Sequence, residues 1–171
     1  MSSKRPDQVL DIFLGPGDFH FGDRETCIRT LLGSCVSFVL WHPQRYIGGM
    51  CHYMLPSRGR KRNGDEPLDG KYADEAMQLM LAEVSKCKTR VHEYRVHIFG
   101  GGDMFPGLLG IPERSVAARN IATATELVRR LGLKVEATHV GETGHRQVIF
   151  ELWSGRMWVK HLKRRLKSEA A

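Results

Sequence analysis

The sequence is built from short apolar runs, and this pattern limits the folds open to the chain. About seven β-compatible runs end at glycine or proline, which is typical of short strands. None approaches the roughly 20 apolar residues of a membrane-spanning helix, so no membrane insertion is expected. The chain of 171 residues is long enough for one domain with a real core. The predicted strands are 9–14, 27–32, 36–41, 47–55, 95–99, 133–140 and 147–153, with a hairpin strand at 157–159.

Two longer stretches have helical rather than strand periodicity. The first, 72–86, repeats apolar residues at intervals of three and four, with Met77 and Met80 on the core side. The second, 115–131, has Ser115 as a predicted N-cap and Gly132 just beyond its end. With the strands they predict a single α/β domain over residues 1–171: a layered α/β sandwich with mixed β-sheets, two main helices, a core at about 9–159 and a basic tail at 160–171.

Three segments are assigned to loops and turns. Phe19–Phe21 follows a glycine-rich turn and is predicted to be a loop, and 57–70 is a polar, basic surface loop without periodicity. The triple glycine 100–102 lacks a following Gly-Lys-Ser/Thr and the GxGxxG spacing. A tight turn with close packing is therefore favoured there over a phosphate cradle.

The chemically most suggestive residues are Cys35 and His52. Cys35 follows Gly33-Ser34 at the start of one apolar run, and His52 lies in the next run. If these runs pair as neighbouring strands, thiol and imidazole can meet, as thiol-based acyl chemistry requires. Backbone N–H groups at Gly33–Cys35 are candidates for an oxyanion hole that contacts the substrate. The alternative is that Cys35 is an ordinary buried cysteine.

Charge and the other cysteines give weaker indications. The net charge is +7, concentrated in basic clusters at 58–62 and 156–167, for which a solvated surface is favoured over a binding role. The hypothesis that the protein binds nucleic acid depends on its charge alone, and no alternation of aromatic and basic residues supports it. Cys27, Cys51 and Cys87 form no C-x-x-C pair, and the histidines have no metal-ligand spacing. No apolar segment follows the basic start, so a cytoplasmic protein is expected. No metal or cofactor is expected either, because no ligand spacing points to one.

Several motifs in order resemble the CheD family of chemoreceptor glutamine deamidases. They span about residues 9 to 159, and each is weak alone whereas the ordered set is specific. The motifs are Leu32-Gly33-Ser34-Cys35-Val36, Gly48-Gly49-Met50-x-His52-x-Met54-Leu55-Pro56, Lys71-Tyr72-Ala73-Asp74, the glycine run with Met104-Phe105, Ala118-Arg119-Asn120, and Gly141-x-x-Gly144-x-Arg146-x-Val148-x-Phe150.

This resemblance implies a fold related to the deamidase domain of cytotoxic necrotising toxins. It implies a protein-glutamine glutaminase that converts glutamine side chains of methyl-accepting chemotaxis receptors to glutamate. By position, Cys35 is the nucleophile and His52 the base. The third member is a threonine just upstream of the cysteine, for which Thr30 is the candidate and Arg29 the alternative occupant. His145 stands where the family often has glycine. A CheC-like phosphatase is an implied partner, and a non-catalytic receptor- or CheC-binding adaptor is the alternative function.

Overall fold

The computed structural model describes residues 4–107 and 114–163. The part of the chain so described forms nine strands, two α-helices and one 3₁₀ turn. In chain order these are β1 (Leu10–Leu14), β2 (Phe19–Gly22), β3 (Thr26–Leu32), β4 (Val36–His42), β5 (Ile47–Cys51), α1 (Ala73–Lys86), the 3₁₀ turn (Val91–Glu93), β6 (Arg95–Gly100), α2 (Val116–Arg130), β7 (Val135–Val140), β8 (His145–Glu151) and β9 (Arg156–Leu162).

The strands form two mixed sheets. The four-stranded sheet has the order β1-β3-β8-β9, and the five-stranded sheet has the order β2-β5-β4-β6-β7. β1 pairs with β3 in parallel and β6 with β7 in parallel, whereas the other neighbours are antiparallel. The α/β architecture with mixed sheets and two main helices agrees with the sequence prediction.

Two apolar clusters divide the molecule into three layers. One cluster fills the space between the sheets, with contributions from β1, β3, β4, β5, β6 and β8. The other lies between the five-stranded sheet and the two helices. β4 is buried along its whole length because it contributes alternate side chains to both clusters. The catalytic candidates flank this central strand.

The helices form where the periodicity predicts them. In α1 the predicted apolar side chains are buried, Met77 and Met80 among them. Ser115 caps α2 by accepting a hydrogen bond from the Ala118 N–H at 3.1 Å, and Gly132 follows with a φ of 62°. No helix within the described residues is long and apolar enough to cross a membrane.

Two secondary-structure predictions were wrong. Phe19–Phe21 is part of strand β2, not a loop, and it pairs antiparallel with β5 from Phe19 opposite Cys51 to Gly22 opposite Gly48. The predicted strand 47–55 ends at Cys51, and beyond it only single bridges form, Val36 with Tyr53 and Leu55 with Tyr72. His52 lies between the end of β5 at Cys51 and the first of these bridges, at Tyr53.

The basic segments are organised by acidic partners where the structure describes them. In the loop 57–70, Arg58 forms two hydrogen bonds with Glu75, at 2.5 and 2.9 Å, and Arg60 forms two with Glu66, at 2.9 and 2.7 Å. Strand β9 continues to Leu162, so the predicted tail from residue 160 begins inside a strand. The rest of that tail, 164–171, lies outside the described residues.

Candidate active site

The pairing of β4 with the end of β5 places Cys35 and His52 on one sheet face. Val36 and Tyr53 exchange two backbone hydrogen bonds, at 3.1 and 3.0 Å. Continuing that antiparallel register puts His52 opposite Ser37, and Cys35 becomes its diagonal neighbour. Such neighbours have Cα atoms about 7–8 Å apart and are within reach of a long side chain. Cys35 packs against the cluster between the two sheets.

Thr30 contacts His52 from the opposite sheet. The Thr30 Oγ1 lies 2.8 Å from the His52 Nδ1 and donates its own proton to the Leu14 carbonyl at 2.9 Å. A hydroxyl has only one proton, so the Nδ1 must be the donor in the bond to Thr30. Neutral His52 therefore keeps its free lone pair on Nε2, where it can accept a proton from a thiol.

The alternation of β3 separates Thr30 from Arg29. Thr30 is fully buried and points between the sheets, whereas Arg29 lies on the outer face and pairs with Asp11 at 2.7 Å. Arg29 therefore makes its ion pair away from His52. Of the two residues left open by the sequence, it is Thr30 that contacts the imidazole.

The turn between β1 and β2 holds the main chain of His52. The His52 N–H donates to the Asp18 carbonyl at 2.9 Å, and its carbonyl accepts from the Gly17 N–H at 2.7 Å. These bonds replace the ladder that ends at Cys51, and they leave His52 only 3% exposed. Strand β2, which the sequence analysis missed, directly follows this turn and pairs with β5. The turn and the strand together hold the segment that carries His52.

Burial disfavours charge on both members of the Cys-His pair. Desolvation lowers the pKa of the His52 imidazole, while its contact with the Leu14 carbonyl and the Asp18 carboxylate partly oppose this effect. Desolvation also raises the pKa of the Cys35 thiol. Both shifts favour the neutral form of the group, so burial opposes charge on the thiol and on the imidazole alike.

The glycine run 100–102 packs against the cysteine turn. The Gly101 N–H donates to the Cys35 carbonyl and the Gly102 N–H to the Gly33 carbonyl, each at 2.8 Å. Gly100 and Gly101 have φ angles of 110° and 64°, which favour glycine. The prediction of a tight turn with close packing is confirmed, and its function is to hold the turn that carries Cys35.

Gly100→Ala is expected to lower the free energy of unfolding by about 3 kcal/mol, because it combines a strained φ with a new clash. A Cβ at this position would overlap the Cys35 carbonyl oxygen. Gly59→Ala is the matched control, since Gly59 also has a positive φ but no atom within 4 Å of its Cβ position, and a loss of about 1 kcal/mol is expected there. Urea unfolding curves measure both, and equal losses would contradict the close approach at Gly100.

The cysteine turn is partly exposed and borders a small hollow. Cys35 and Ser34 are half-buried, while Thr30 and His52 are closed off from solvent. An apolar hollow of about 150 Å³ adjoins Ser34 and is also lined by Gly102, Phe105 and Ala117. Of the two predicted substrate-contacting residues, Ser34 lines this hollow, and Gly33 directly precedes it in the chain.

The remaining sequence candidates lie elsewhere. Cys51 is buried on the opposite sheet face from His52, as predicted, and burial raises the pKa of its thiol to about 12. Cys27 and Cys87 lie in other parts of the molecule, on β3 and at the end of α1. Within residues 4–107 and 114–163, no group of three or more His, Cys, Asp or Glu side chains is arranged to hold a metal ion.

The sequence analysis did not single out Asn120 or Asp18 as site residues. Asn120 is fully buried in α2, and its side chain binds the carbonyls of Ser34, which precedes Cys35, and of Met54, which follows closely after His52. A signal was available, because Asn120 falls on the helix face formed by Ala117, Ala124 and Val128. A polar residue on an apolar stripe indicates a buried hydrogen-bonding role. Asp18 had no comparable signal.

Comparison with known proteins gives one consistent result. A family model described as CheD chemotactic sensory transduction matches residues 54–161. A protein of Pseudomonas fluorescens (strain SBW25) named probable chemoreceptor glutamine deamidase CheD is 47% identical over 169 residues, which cover 98% of this chain and 94% of the relative. A protein of the same name from Pseudomonas syringae pv. syringae (strain B728a) is 49% identical over 157 residues, covering 91% of this chain and 87% of the relative.

A third relative has a somewhat lower identity to this chain. The protein named probable chemoreceptor glutamine deamidase CheD 3 of Dechloromonas aromatica (strain RCB) is 43% identical over 157 residues, covering 92% of this chain and 91% of the relative. The family-model match begins beyond His52, whereas the alignment with the P. fluorescens protein spans the positions of Thr30, Cys35 and His52. Similarity of this extent and coverage shows that the chain belongs to the CheD family.

Proposed function

We propose that this protein is a chemoreceptor glutamine deamidase, a cysteine-dependent amidohydrolase that converts receptor glutamine side chains to glutamate. The relatives' names state this activity for those proteins. The observation that carries the proposal is the bond between Thr30 and the His52 Nδ1, because it leaves Nε2 free as a base on the sheet face shared with Cys35. Cys35, His52 and Thr30 are proposed as nucleophile, base and orienting residue.

The acylation step follows from these assignments. The His52 Nε2 takes the Cys35 proton as Sγ attacks the glutamine carboxamide carbon, giving a tetrahedral oxyanion and an imidazolium. Thr30 stabilises this imidazolium by accepting from Nδ1–H. When the oxyanion collapses, the carbon–nitrogen bond breaks and Nε2–H supplies the proton that lets ammonia leave. The product of this half-reaction is a thioester between Cys35 and the receptor side chain.

Hydrolysis of the thioester completes the cycle. His52 is neutral again after ammonia departs, so Nε2 takes a proton from a water molecule as its oxygen attacks the thioester carbon. The sulfur leaves and regains its proton, which restores the thiol, and the released side chain is glutamate. The net change on the receptor is one new negative charge, which changes the electrostatics of the receptor surface.

The oxyanion requires donors near the thiol, and the cysteine turn offers two. The carbonyls of Gly33 and Cys35 are bonded to the glycine run, while the N–H groups of Ser34 and Cys35 donate to no protein group among the described residues. Unused backbone N–H groups beside a nucleophile are the usual composition of an oxyanion hole. We propose Ser34 for substrate binding on this basis, together with Gly33, whose carbonyl shares a peptide group with the Ser34 N–H and is held by Gly102.

The partners and the domain organisation belong to the same proposal. Methyl-accepting chemotaxis receptors are the proposed substrates, with a CheC-like phosphatase as a further partner, and residues 1–171 act as one CheD-like domain. A cytoplasmic location is proposed because the mechanism needs Cys35 as a reduced thiol. Arg58 and Arg60 are held by Glu75 and Glu66, which gives no support to a nucleic-acid site in that loop.

The direct test is conversion of a receptor. The protein is incubated with the signalling fragment of a methyl-accepting receptor in water enriched in ¹⁸O, and the peptides are examined by mass spectrometry. Glutamine should become glutamate with one heavy oxygen from the attacking water, together with stoichiometric ammonia. A receptor that binds but is not converted would contradict the deamidase and favour the adaptor, and a complete lack of binding would contradict both.

A further inference from the structure

Asn120 of α2 joins the two segments that carry the proposed nucleophile and base. Its Nδ2 donates to the Met54 carbonyl at 2.8 Å and to the Ser34 carbonyl at 3.2 Å. Met54 lies two residues after His52, and Ser34 directly precedes Cys35. The two protons of one amide group therefore link the segment that carries His52 to the turn that carries Cys35. The helix that provides this amide packs on the other side of the sheet.

The bond to Ser34 sets the direction of the Cys35 N–H. In a trans peptide the carbonyl and the N–H point in opposite directions, and the Ser34 carbonyl shares its peptide plane with the Cys35 N–H. By accepting from Asn120, this carbonyl turns the Cys35 N–H away from α2. The Gly102 N–H fixes the preceding plane in the same way by binding the Gly33 carbonyl at 2.8 Å, which orients the Ser34 N–H.

Asn120 is held firmly enough to act as such a support. It is fully buried, and helix α2 already fixes its main chain. The bond that the Tyr53 hydroxyl donates to the Asn120 main-chain carbonyl, at 2.7 Å, does not involve the amide group. Its Oδ1 is buried without a hydrogen-bond partner among the described residues. A buried amide oxygen without a hydrogen-bond partner is destabilising, and an apolar side chain would avoid that cost. The two hydrogen bonds that the amide donates have to offset this cost, and both of them are made to the segments that carry Cys35 and His52.

We propose that Asn120 is a positioning residue of the deamidation site: its amide, anchored on Met54, orients the Ser34–Cys35 peptide so that the Cys35 N–H stabilises the oxyanion. This inference rests on the proposed function and adds a residue outside the Cys-His-Thr set. It predicts that loss of the amide impairs the step that develops negative charge on the substrate oxygen. Formation of the thiolate itself does not depend on this peptide orientation, so thiol reactivity should survive.

Two variants and one control test the proposal on the full chain. Asn120→Leu keeps the branching and the number of side-chain heavy atoms and removes the donors together with the unsatisfied oxygen, and Asn120→Ala removes the whole amide group and so avoids the larger methyl groups of leucine. Tyr53→Phe is the matched control, because it deletes a hydrogen bond to α2 but leaves both bonds of the Asn120 amide. Conversion of the receptor fragment gives kcat and KM, and alkylation of the Cys35-containing peptide by iodoacetamide reports thiol reactivity without an oxyanion.

The proposal predicts that kcat falls while KM and the alkylation rate of Cys35 change little. Both Asn120 variants should lose about 10- to 100-fold in kcat, while KM and the rate of Cys35 alkylation stay within about threefold of the wild type. Tyr53→Phe should keep kcat within about threefold. The proposal is overturned if folded Asn120→Leu retains kcat, if kcat and alkylation fall together, or if Tyr53→Phe is equally impaired. Any of these results would leave the proposed deamidase function unaffected. A wild-type protein that converts no receptor glutamine would refute both the proposed function and the role of Asn120.

Discussion

Cys35→Ala is expected to lower the rate of receptor deamidation by about 10⁴-fold or more, because no other group can form the covalent intermediate. Without the sulfur, His52 could only activate water for direct attack on an unactivated carboxamide. The fold should be preserved, since Cys35 is half-buried and alanine removes a single atom. Mass-spectrometric conversion of the receptor fragment under single-turnover conditions measures the effect.

Cys87→Ala is the control for this prediction. Cys87 is also a half-buried free thiol, but it ends helix α1, where its carbonyl accepts a hydrogen bond from Arg45 at 2.9 Å. Its side chain takes no part in the proposed chemistry, so activity should stay within about twofold of the wild type. Comparable conversion by Cys35→Ala and the wild type would exclude the thiol mechanism, whatever else the protein binds.

Thr30→Val is expected to lower kcat by about 10²- to 10³-fold. Valine has almost the same shape as threonine, so the packing between the sheets remains, but the His52 Nδ1–H loses its acceptor and the Leu14 carbonyl loses its donor. The imidazole is then free to adopt the tautomer with its proton on Nε2, which cannot accept the thiol proton, and the imidazolium loses its stabilising contact. KM should change much less than kcat, because Thr30 is fully buried and does not reach the substrate.

Thr26→Val distinguishes this effect from a general change in β3. Thr26 lies on the same strand and is likewise buried, at 2% exposure, but it is four residues away from Thr30. Both variants should unfold with similar midpoints in urea, and only Thr30→Val should lose activity. Equal activity in the two variants would mean that the bond between Thr30 and His52 does not control the base.

Local signals in the sequence predicted much of the framework. The helices follow from the periodicity of their apolar residues together with the Ser115 cap and Gly132, which are interactions within a few residues of the chain. The antiparallel neighbours β4 and β5 are adjacent in sequence, so the meeting of Cys35 and His52 on one face could be anticipated. The opposite orientation of Cys51 also follows, from strand alternation alone.

Strand β2 could not be identified in the same way. Phe19–Gly22 has only four residues, and all four are partly exposed, so no apolar periodicity marks it. It becomes a strand because its backbone groups find partners on β5, about 30 residues later in the chain. Pairing between distant segments depends on the assembled sheet, which local propensity does not encode.

The sequence alone determined the family and the α/β class, and it predicted the pair Cys35 and His52, because these depend on residue identity, order and local periodicity. Only the tertiary structure decided which neighbour on β3 faces His52 and which tautomer the imidazole adopts. It also decided that Asn120 reaches Ser34 and Met54. Those features arise where the two sheets and α2 meet, and contacts between segments so far apart are set by packing and register rather than by any local pattern of residues.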